Sequence, residues 1–417
     1  MGPVFSIILH LDGRSLILNS KDIVECYFIE DIFSFSLVGK LIFHDMYGIV
    51  EMGPLTGNEQ IILEYGIDED RQIAFDIWKI ERIAQTNATQ PTSESLVEIH
   101  FVDKSFEYFT KRKFSRSFTS SDDNIGKTSD IVKLILEYMI GNPNIGRWED
   151  SIDIMDFIMP YWTPIQSIMW LSKRCTGKDS GMPGYLCYNS TEAEPFRTNY
   201  ITLDKLFGNY VTDKKHYEFG ENDIYKFEDN SKGYKRKTIT EWWINGIDKS
   251  SFSSIKGKKV FGYNITKKEL LSNSYTYSDT IPKVMLFGKK SLFADISDNR
   301  TGNTVTSEDN SEDMDKIYYS NWIKRYSLQQ VLNIILPGHE TRYAGKQIEI
   351  AWPSTDPKSN LWNKQMKGKY LIKTVTHMLT SDGSNLNYRQ RLVLLKNAYV
   401  DIDDKELIKS TRRNIKD

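Results

Sequence analysis

Tyr326-Ser327-Leu328-Gln329-Gln330-Val331-Leu332-Asn333-Ile334-Ile335-Leu336-Pro337-Gly338 opens the stretch, running to Ala398, on which the reading of the fold turns. Ser327 to Leu336 reads as a short helix, broken by Pro337-Gly338. Three strand-like runs follow: Gln347-Ile348-Glu349-Ile350-Ala351-Trp352, then Lys369 to His377, then Tyr388 to Leu395. Period-two alternation and β-branched residues make each a half-buried strand. Gly345 and Lys367-Gly368 suit turns before the first two strands, and Ser381-Asp382-Gly383-Ser384 suits a hairpin joining the last two.

Working outward, residues 1 to about 105 carry the same signature. Phe5, Ile7, Leu9 and Leu11 alternate, Asp12-Gly13 turns the chain, and Leu16 and Leu18 resume the pattern. The longest alternation puts Phe33, Phe35, Leu37, Gly39, Leu41 and Phe43 on one face, with Ser34, Ser36, Lys40 and His44 on the other. Asp45-Met46-Tyr47-Gly48 ends it, and Gln60 to Gly66, Ile73 to Ile83 and Leu96 to Asp103 continue as strands.

Two ordered sets of residues resemble the baseplate hub proteins of contractile-tailed phages, a family related to the hub part of type VI secretion spike proteins. The first set is Ser34 to Asp45 followed by Leu55-Thr56-Gly57-Asn58-Glu59-Gln60-Ile61-Ile62-Leu63. The second is Leu336-Pro337-Gly338, Ala344 to Ile350, Gly368-Lys369-Tyr370-Leu371-Ile372, Val375-Thr376-His377 and Tyr388 to Ala398. The resemblance implies an α+β, mostly β chain with two tail-tube-like antiparallel β-barrels and inserted α/β domains. Its implied layout is a first barrel over 1–105, a mixed helical insertion over 106–200, and a second barrel from 201–240 and 326–398. A second insertion with a polar loop takes 241–325, and a charged tail takes 399–417. His377 falls on the family's strand histidine, where packing and a backbone hydrogen bond are the expected role.

The middle of the chain switches period. Thr128-Ser129 offers a helix cap before Ile131, Leu134, Ile135 and Tyr138, which share one face, and Gly141 stops the helix. Thr163-Pro164 is a second start signal ahead of Ile165, Ile168, Met169 and Leu171. Gly184-Tyr185-Leu186-Cys187-Tyr188 reads as a return strand. Lys226 to Trp243 suggests strands around the basic turn Lys232 to Lys237. Gly262-Tyr263-Asn264 and Val284 to Gly288 look like strand ends, Ser297 to Asp315 is a polar, acidic loop, and Tyr318 to Leu336 looks helical.

At 417 residues the chain is long enough for two to four domains. Its 54 basic and 56 acidic residues argue against a dedicated nucleic-acid binder with a broad basic surface. Its 23 Tyr, 20 Phe and 9 Trp lean towards assembly, since aromatics anchor interfaces as well as cores. Cys26, Cys175 and Cys187 are too few and too separated for a disulfide framework or a zinc site, which fits synthesis in a reducing cytosol. The N-terminus lacks a signal-peptide pattern, Pro3 argues against myristoylation at Gly2, and no apolar run reaches membrane-spanning length. A soluble protein is expected.

Chemistry-bearing motifs are sparse. No spacing selects a pair of carboxylates for glycoside hydrolysis. His339-Glu340 and His377 sit in no metal-binding pattern, and Gly141 to Gly146 lacks the Gly-Lys-Ser/Thr of a phosphate loop. No catalytic residue, cofactor or metal is expected. Lys104-Ser105-Phe106-Glu107-Tyr108-Phe109-Thr110-Lys111-Arg112-Lys113-Phe114 interleaves basic and aromatic residues as single-strand binders do. The favoured reading of it, and of Lys235-Arg236-Lys237, is a solvated turn with aromatics entering a core.

What the resemblance implies is a structural role: a homotrimeric hub joining a sixfold tail tube to a threefold central spike, in a virion baseplate with other baseplate proteins. DNA would pass its lumen without specific binding. Segments 106–200 and 240–325 are expected towards the spike on the family's layout. The turn-rich connection 45–58, with apolar Met46, Tyr47 and Met52, is the candidate contact with the first tube ring. A hub from a non-contractile tail or a bacterial injection apparatus remains the alternative within the class, and a tail-associated wall hydrolase the alternative outside it.

Overall fold

The computed structural model describes residues 4–11, 13–46, 48, 58–66, 71–85, 94–119, 126–140, 144–194, 196–208, 239–244, 258–264, 268–275, 304–306, 316–317, 320–321, 330–350, 368–381 and 386–396. The first β-rich half contains β1 (Val4–Leu11), β2 (Arg14–Ile17), β3 (Ile23–Asp31), β4 (Val38–His44), β5 (Gln60–Gly66), β6 (Arg71–Gln85) and β7 (Glu94–Asp103). All its pairings are antiparallel. Inward residues of alternating phase, among them Ile7, Leu9, Phe28, Leu41, Phe43, Ile61, Leu63, Phe75, Ile99 and Phe101, make one core. Gly39 is needed where β4 passes between β3 and β7. A Cβ there would enter the Phe101 ring and lie 2.7 Å from the Tyr27 carbonyl oxygen.

The long alternation from Phe33 to Phe43 holds only in its second part. Leu37, Gly39, Leu41 and Phe43 face inward as expected, but Phe33 to Ser36 form a turn before β4. The cause is local. The Asp31 carboxylate accepts the Phe33 amide at 2.7 Å, an Asx-type bond that ends β3 and offers the backbone an alternative to the ladder. Phe35 leaves the sheet to pack on Phe109, with ring centroids 4.1 Å apart.

An inserted unit follows: α1 (Ser105–Thr110), β8 (Phe114–Phe118), α2 (Thr128–Ile140), β9 (Ile145–Trp148), β10 (Phe157–Trp162), α3 (Pro164–Ser172), β11 (Tyr185–Ser190), β12 (Arg197–Thr202) and α4 (Leu203–Gly208). Thr163 and Gln166 form a reciprocal capping box with Pro164 in the first turn, so the start signal read from sequence is realised. The buried faces are narrower than the periodicity suggested. Ile131, Val132, Ile135 and Leu136 point into the unit's core with Ile168 and Leu171, while Tyr138 and Met169 face solvent.

Then come β13 (Glu241–Ile244), β14 (Lys258–Asn264), β15 (Glu269–Tyr275), β16 (Thr304–Thr306), β17 (Gln330–Pro337), β18 (Gln347–Ile350), β19 (Gly368–Ser381) and β20 (Leu386–Lys396). β14, β15 and β16 form a small sheet, so Thr304–Thr306, read as part of a loop, is a strand parallel to β14. β13 pairs with β17, which places Glu241–Ile244 in the main sheet and not in the insertion proposed to start at 241.

The segment read as a helix, Ser327 to Leu336, needs the larger correction. From Gln330 it is β17, paired with β13 on one side and β20 on the other. Leu332, Ile334 and Leu336 carry the period-two core contacts. Apolar Val331 and Ile335 between them make the run nearly continuous, and such a run gives no helix-versus-strand signal by periodicity. Its β-branched residues and the Pro337 stop were the better guides. The expected hairpin is present, with β19 and β20 in antiparallel register from Leu371↔Leu395 to Ser381↔Leu386.

The main sheet runs β13-β17-β20-β19-β3-β4-β7-β6-β5-β1-β2, with β18 on β19. One antiparallel ladder, β19 on β3, therefore joins two halves with separate cores, the first of which also takes in Leu379 of β19 and Tyr388 of β20. The class is α+β, mostly antiparallel β.

Candidate functional site at the junction of the halves

Along the β3–β19 ladder His377 lies directly opposite Phe28, and their rings stack at 4.0 Å and 9°. A chain of hydrogen bonds runs through this point. Gln390 Nε2 donates to the Tyr388 hydroxyl at 3.0 Å, and Tyr388 donates to His377 Nδ1 at 2.8 Å. That leaves His377 Nε2 to donate to Glu30 Oε1 at 3.1 Å. Burial pushes the Tyr388 phenol far up, so it keeps its proton. The inserted unit closes the chain: the Thr191 amide and hydroxyl donate to the two Glu30 oxygens at 2.9 and 3.0 Å. Arg342 Nη1 holds Gln390 Oε1 at 3.1 Å and the Pro337 carbonyl at 2.6 Å. Glu30, His377 and Gln390 are wholly buried. His377 thus has the expected packing role, but its partners are side chains and not the backbone.

A second lock binds the inserted unit to the second half. Arg147, on β9, donates to the Gly345 carbonyl and, at 3.0 Å, to the Tyr343 hydroxyl, which donates in turn to Glu192 Oε1 at 3.1 Å. Gly345 has φ +84, and a side chain there would strike the Tyr188 hydroxyl, so glycine alone allows the approach. Gln347 Nε2 reaches the Leu206 and Phe207 carbonyls of α4 at 2.6 and 3.1 Å. On the first half, Asp103 accepts the Leu37 amide at 2.6 Å and Asn189 Nδ2 at 3.1 Å. The insertion is clamped to both halves.

These groups position backbone and exclude water. An acid–histidine–hydroxyl chain can relay protons where substrate reaches it, but His377 has no exposed surface. Glu81, Glu98 and His100 lie close enough together to share a cation, yet Lys40 already neutralises Glu98 at 2.8 Å. The described surface does offer interaction features at the ends of the sheet. Trp242 and Ile244 on edge strand β13 and Ile17 on edge strand β2 are exposed. A cavity of about 300 Å³ opens between the Ile32–Phe35 turn and α3, with Met169 and Lys173 at its wall.

Of the expected tube contacts, Met46 is 76% exposed just beyond β4, and Tyr47 and Met52 lie outside the described residues. The Lys235–Lys237 cluster also lies outside them. No described helix is long and apolar enough to cross a membrane. Sequence reading missed Glu30, Thr191, Gln390, Arg147 and Tyr343. A signal existed for two of them: Glu30 continues the inward phase of Cys26 and Phe28, and Gln390 that of Tyr388 and Leu392.

The fold is similar to that of a prophage tail protein and of chains in complexes of VgrG. The 43 kDa tail protein of prophage MuSo2 from Shewanella oneidensis aligns over 94% of this chain and 98% of its own, at TM-score 0.52 and 8% identity. A chain of the Francisella PdpA–VgrG complex in its half-lidded form aligns over 96% of this chain but 59% of its own, at TM-score 0.50 and 10% identity. The lidless PdpA–VgrG complex gives 97%, 67%, 0.51 and 11%. No family model and no curated protein matches the sequence.

Two outcomes are expected. Glu30→Gln and His377→Gln each lower unfolding stability by at least about 1 kcal/mol, since each leaves buried polar groups unsatisfied. Their double-mutant cycle gives a coupling of about 0.5–3 kcal/mol in denaturant titrations. The second concerns alkaline pH. Burial pushes the Tyr343 phenol up to about 12, against the counter-pull of Arg147. An unfolded tyrosine titrates near 10, so between about 10 and 12 the native state holds the extra proton. Its stabilisation is full below pH 10 and is lost as pH rises through 12. Tyr343→Phe should flatten the fall in melting temperature over that window.

Proposed function

We propose that this chain is the structural hub of a phage tail baseplate, a homotrimeric adaptor that joins a sixfold tail tube to a threefold spike and leaves a channel for DNA. The observation that carries it is the near end-to-end correspondence with the prophage tail protein, 94% of one chain against 98% of the other. A partial match would fit a shared module in an unrelated protein. The correspondence with VgrG-complex chains supports a spike as partner and keeps a bacterial injection apparatus as the second setting for the same role.

The physical logic is one of symmetry. Two barrel-like halves per chain, three chains to a ring, present six similar units to the tube and three insertions to the spike. Such a ring closes through heterologous contacts. Edge strands β2 and β13, with exposed Ile17, Trp242 and Ile244, are the surfaces we assign to those contacts. The role is mechanical, with no catalytic step, and its place is the virion tail.

Light scattering on the purified chain, alone and with a candidate spike protein, tests this. The expected mass is about three times 48.5 kDa, either alone or on adding the spike. A monomer indifferent to the spike overturns the reading, and a wall-hydrolysis assay then becomes informative. The segment 45–58 is assigned to the tube. Changing Met46, Tyr47 and Met52 together to Ser should abolish co-sedimentation with tube protein while leaving the trimer intact; unchanged attachment removes the assignment.

A further inference from the structure

The run from Lys104 to Arg116 holds five cations and one carboxylate, Glu107, in a chain whose formal net charge is −2. Several lysines elsewhere on the described surface sit on acids: Lys40 on Glu98 at 2.8 Å, Lys127 on Asp150 at 3.1 Å, Lys205 on Asp179 at 2.5 Å. Here the cations sit on rings instead. Lys111 lies over Trp78 at 4.4 Å, Arg112 over Tyr108 at 4.3 Å, and Arg116 is within 5.4 Å of Phe118 and 5.1 Å of Tyr138. Lys111, Arg112, Lys113 and Arg116 are all exposed. Among the described residues, Glu107 at 3.7 Å from Lys111 is the one acid paired with any of these four. The nearby acids Glu81 and Glu137 are bound to Lys79 and Lys133.

We infer that the surface formed by the end of α1, strand β8 and the exposed rings of β6 and α2 binds the phosphate backbone of nucleic acid without reading its sequence. A guanidinium stacked on a ring keeps its edge N–H donors pointing outward, fixed in direction at little further entropic cost. Those donors suit phosphate oxygens. Each of these rings carries a cation on one face, which favours contact through the cations to the backbone over stacking of bases. Three consecutive cations, Lys111 to Lys113, fit a ligand bearing one charge per repeating unit along a line.

The test uses the full chain and a fluorescein-labelled DNA of about 30 nucleotides, single-stranded and duplex, followed by anisotropy at 50 and 200 mM salt. Binding to both forms is expected. For three phosphate contacts on duplex, a slope of about −0.9 per contact predicts roughly fortyfold weaker binding at the higher salt. The variant R112E/K113E/R116E should bind at least tenfold more weakly with an unchanged melting temperature. A control at exposed sites elsewhere, K21E/K178E/R389E, carries the same change in net charge and should stay within twofold of wild type. The inference is overturned by equal losses in both variants, by no binding at 50 mM salt, or by polyglutamate or phosphatidylglycerol vesicles binding the patch more tightly than DNA. It is measured on the isolated chain, so a monomer in the scattering experiment would remove the hub reading and leave this one standing.

Discussion

The structure depends on one ladder, β19 against β3. Without it the two halves would be separate sheets connected by the inserted unit. With it they share a continuous hydrogen-bonded surface. A backbone ladder alone does not fix register, since strands can slip by two residues and keep the same face inward. The Glu30–His377–Tyr388–Gln390 chain removes that freedom. Slippage would strand the Glu30 carboxylate and the Nε2 side of the His377 ring in a dry interior, and each unsatisfied group costs on the order of 1–3 kcal/mol. The network therefore contributes specificity of pairing more than gross stability, which the apolar cores on either side supply.

The inserted unit depends on the same junction. Thr191 donates to both Glu30 oxygens, one of which is also bonded to His377, so the insertion and the β3–β19 ladder share one buried carboxylate. Arg147 and Gln347 then tie it to the second half, and Asn189 to the first through Asp103. Three cores, two β-rich and one mixed, meet around a polar seam whose members come from sequence positions up to 347 residues apart. Contacts of that range form late and cooperatively, because chain closure must precede the bonds that reward it.

The sequence exposed the strands whose faces alternate cleanly, β1, β5, β19 and β20, and the helix start at Thr163, whose cap is written in adjacent residues. It misled at β17, where Val331 to Leu336 is apolar at almost every position and carries no period. It misled again at Phe33 and Phe35, where alternation continues through a turn created by the Asp31 side chain. The seam was half visible: Glu30 and Gln390 sit in inward phase, which marks them as buried polar groups in need of partners. Which partners they take is a property of the β3–β19 ladder, and nothing local in either strand specifies that pairing. The Lys104–Phe114 run illustrates the same division. Its aromatics do enter a core at Phe109, as the solvated-turn reading held, yet its cations Lys111 and Arg112 come to rest on Trp78 and Tyr108, the first of these distant in sequence.

A rigid seam has a consequence for assembly. When identical chains close into a ring through unlike edges, the angle between those two edges sets how many copies close it. Here β2 and β13 are the opposite ends of one sheet, and every strand between them is hydrogen-bonded to its neighbours. The soft point of such a span would be the place where the halves meet, and that is where the buried network and the insertion's clamps are concentrated. In the proposed ring, loosening the seam would let the edge-to-edge angle vary and admit rings of different size, or open helical strings, from the interfaces proposed at β2 and β13. A buried polar network at this position is therefore better understood as a constraint on geometry than as a source of stability. The hub reading requires that of a chain placed between a tube and a spike of different symmetry.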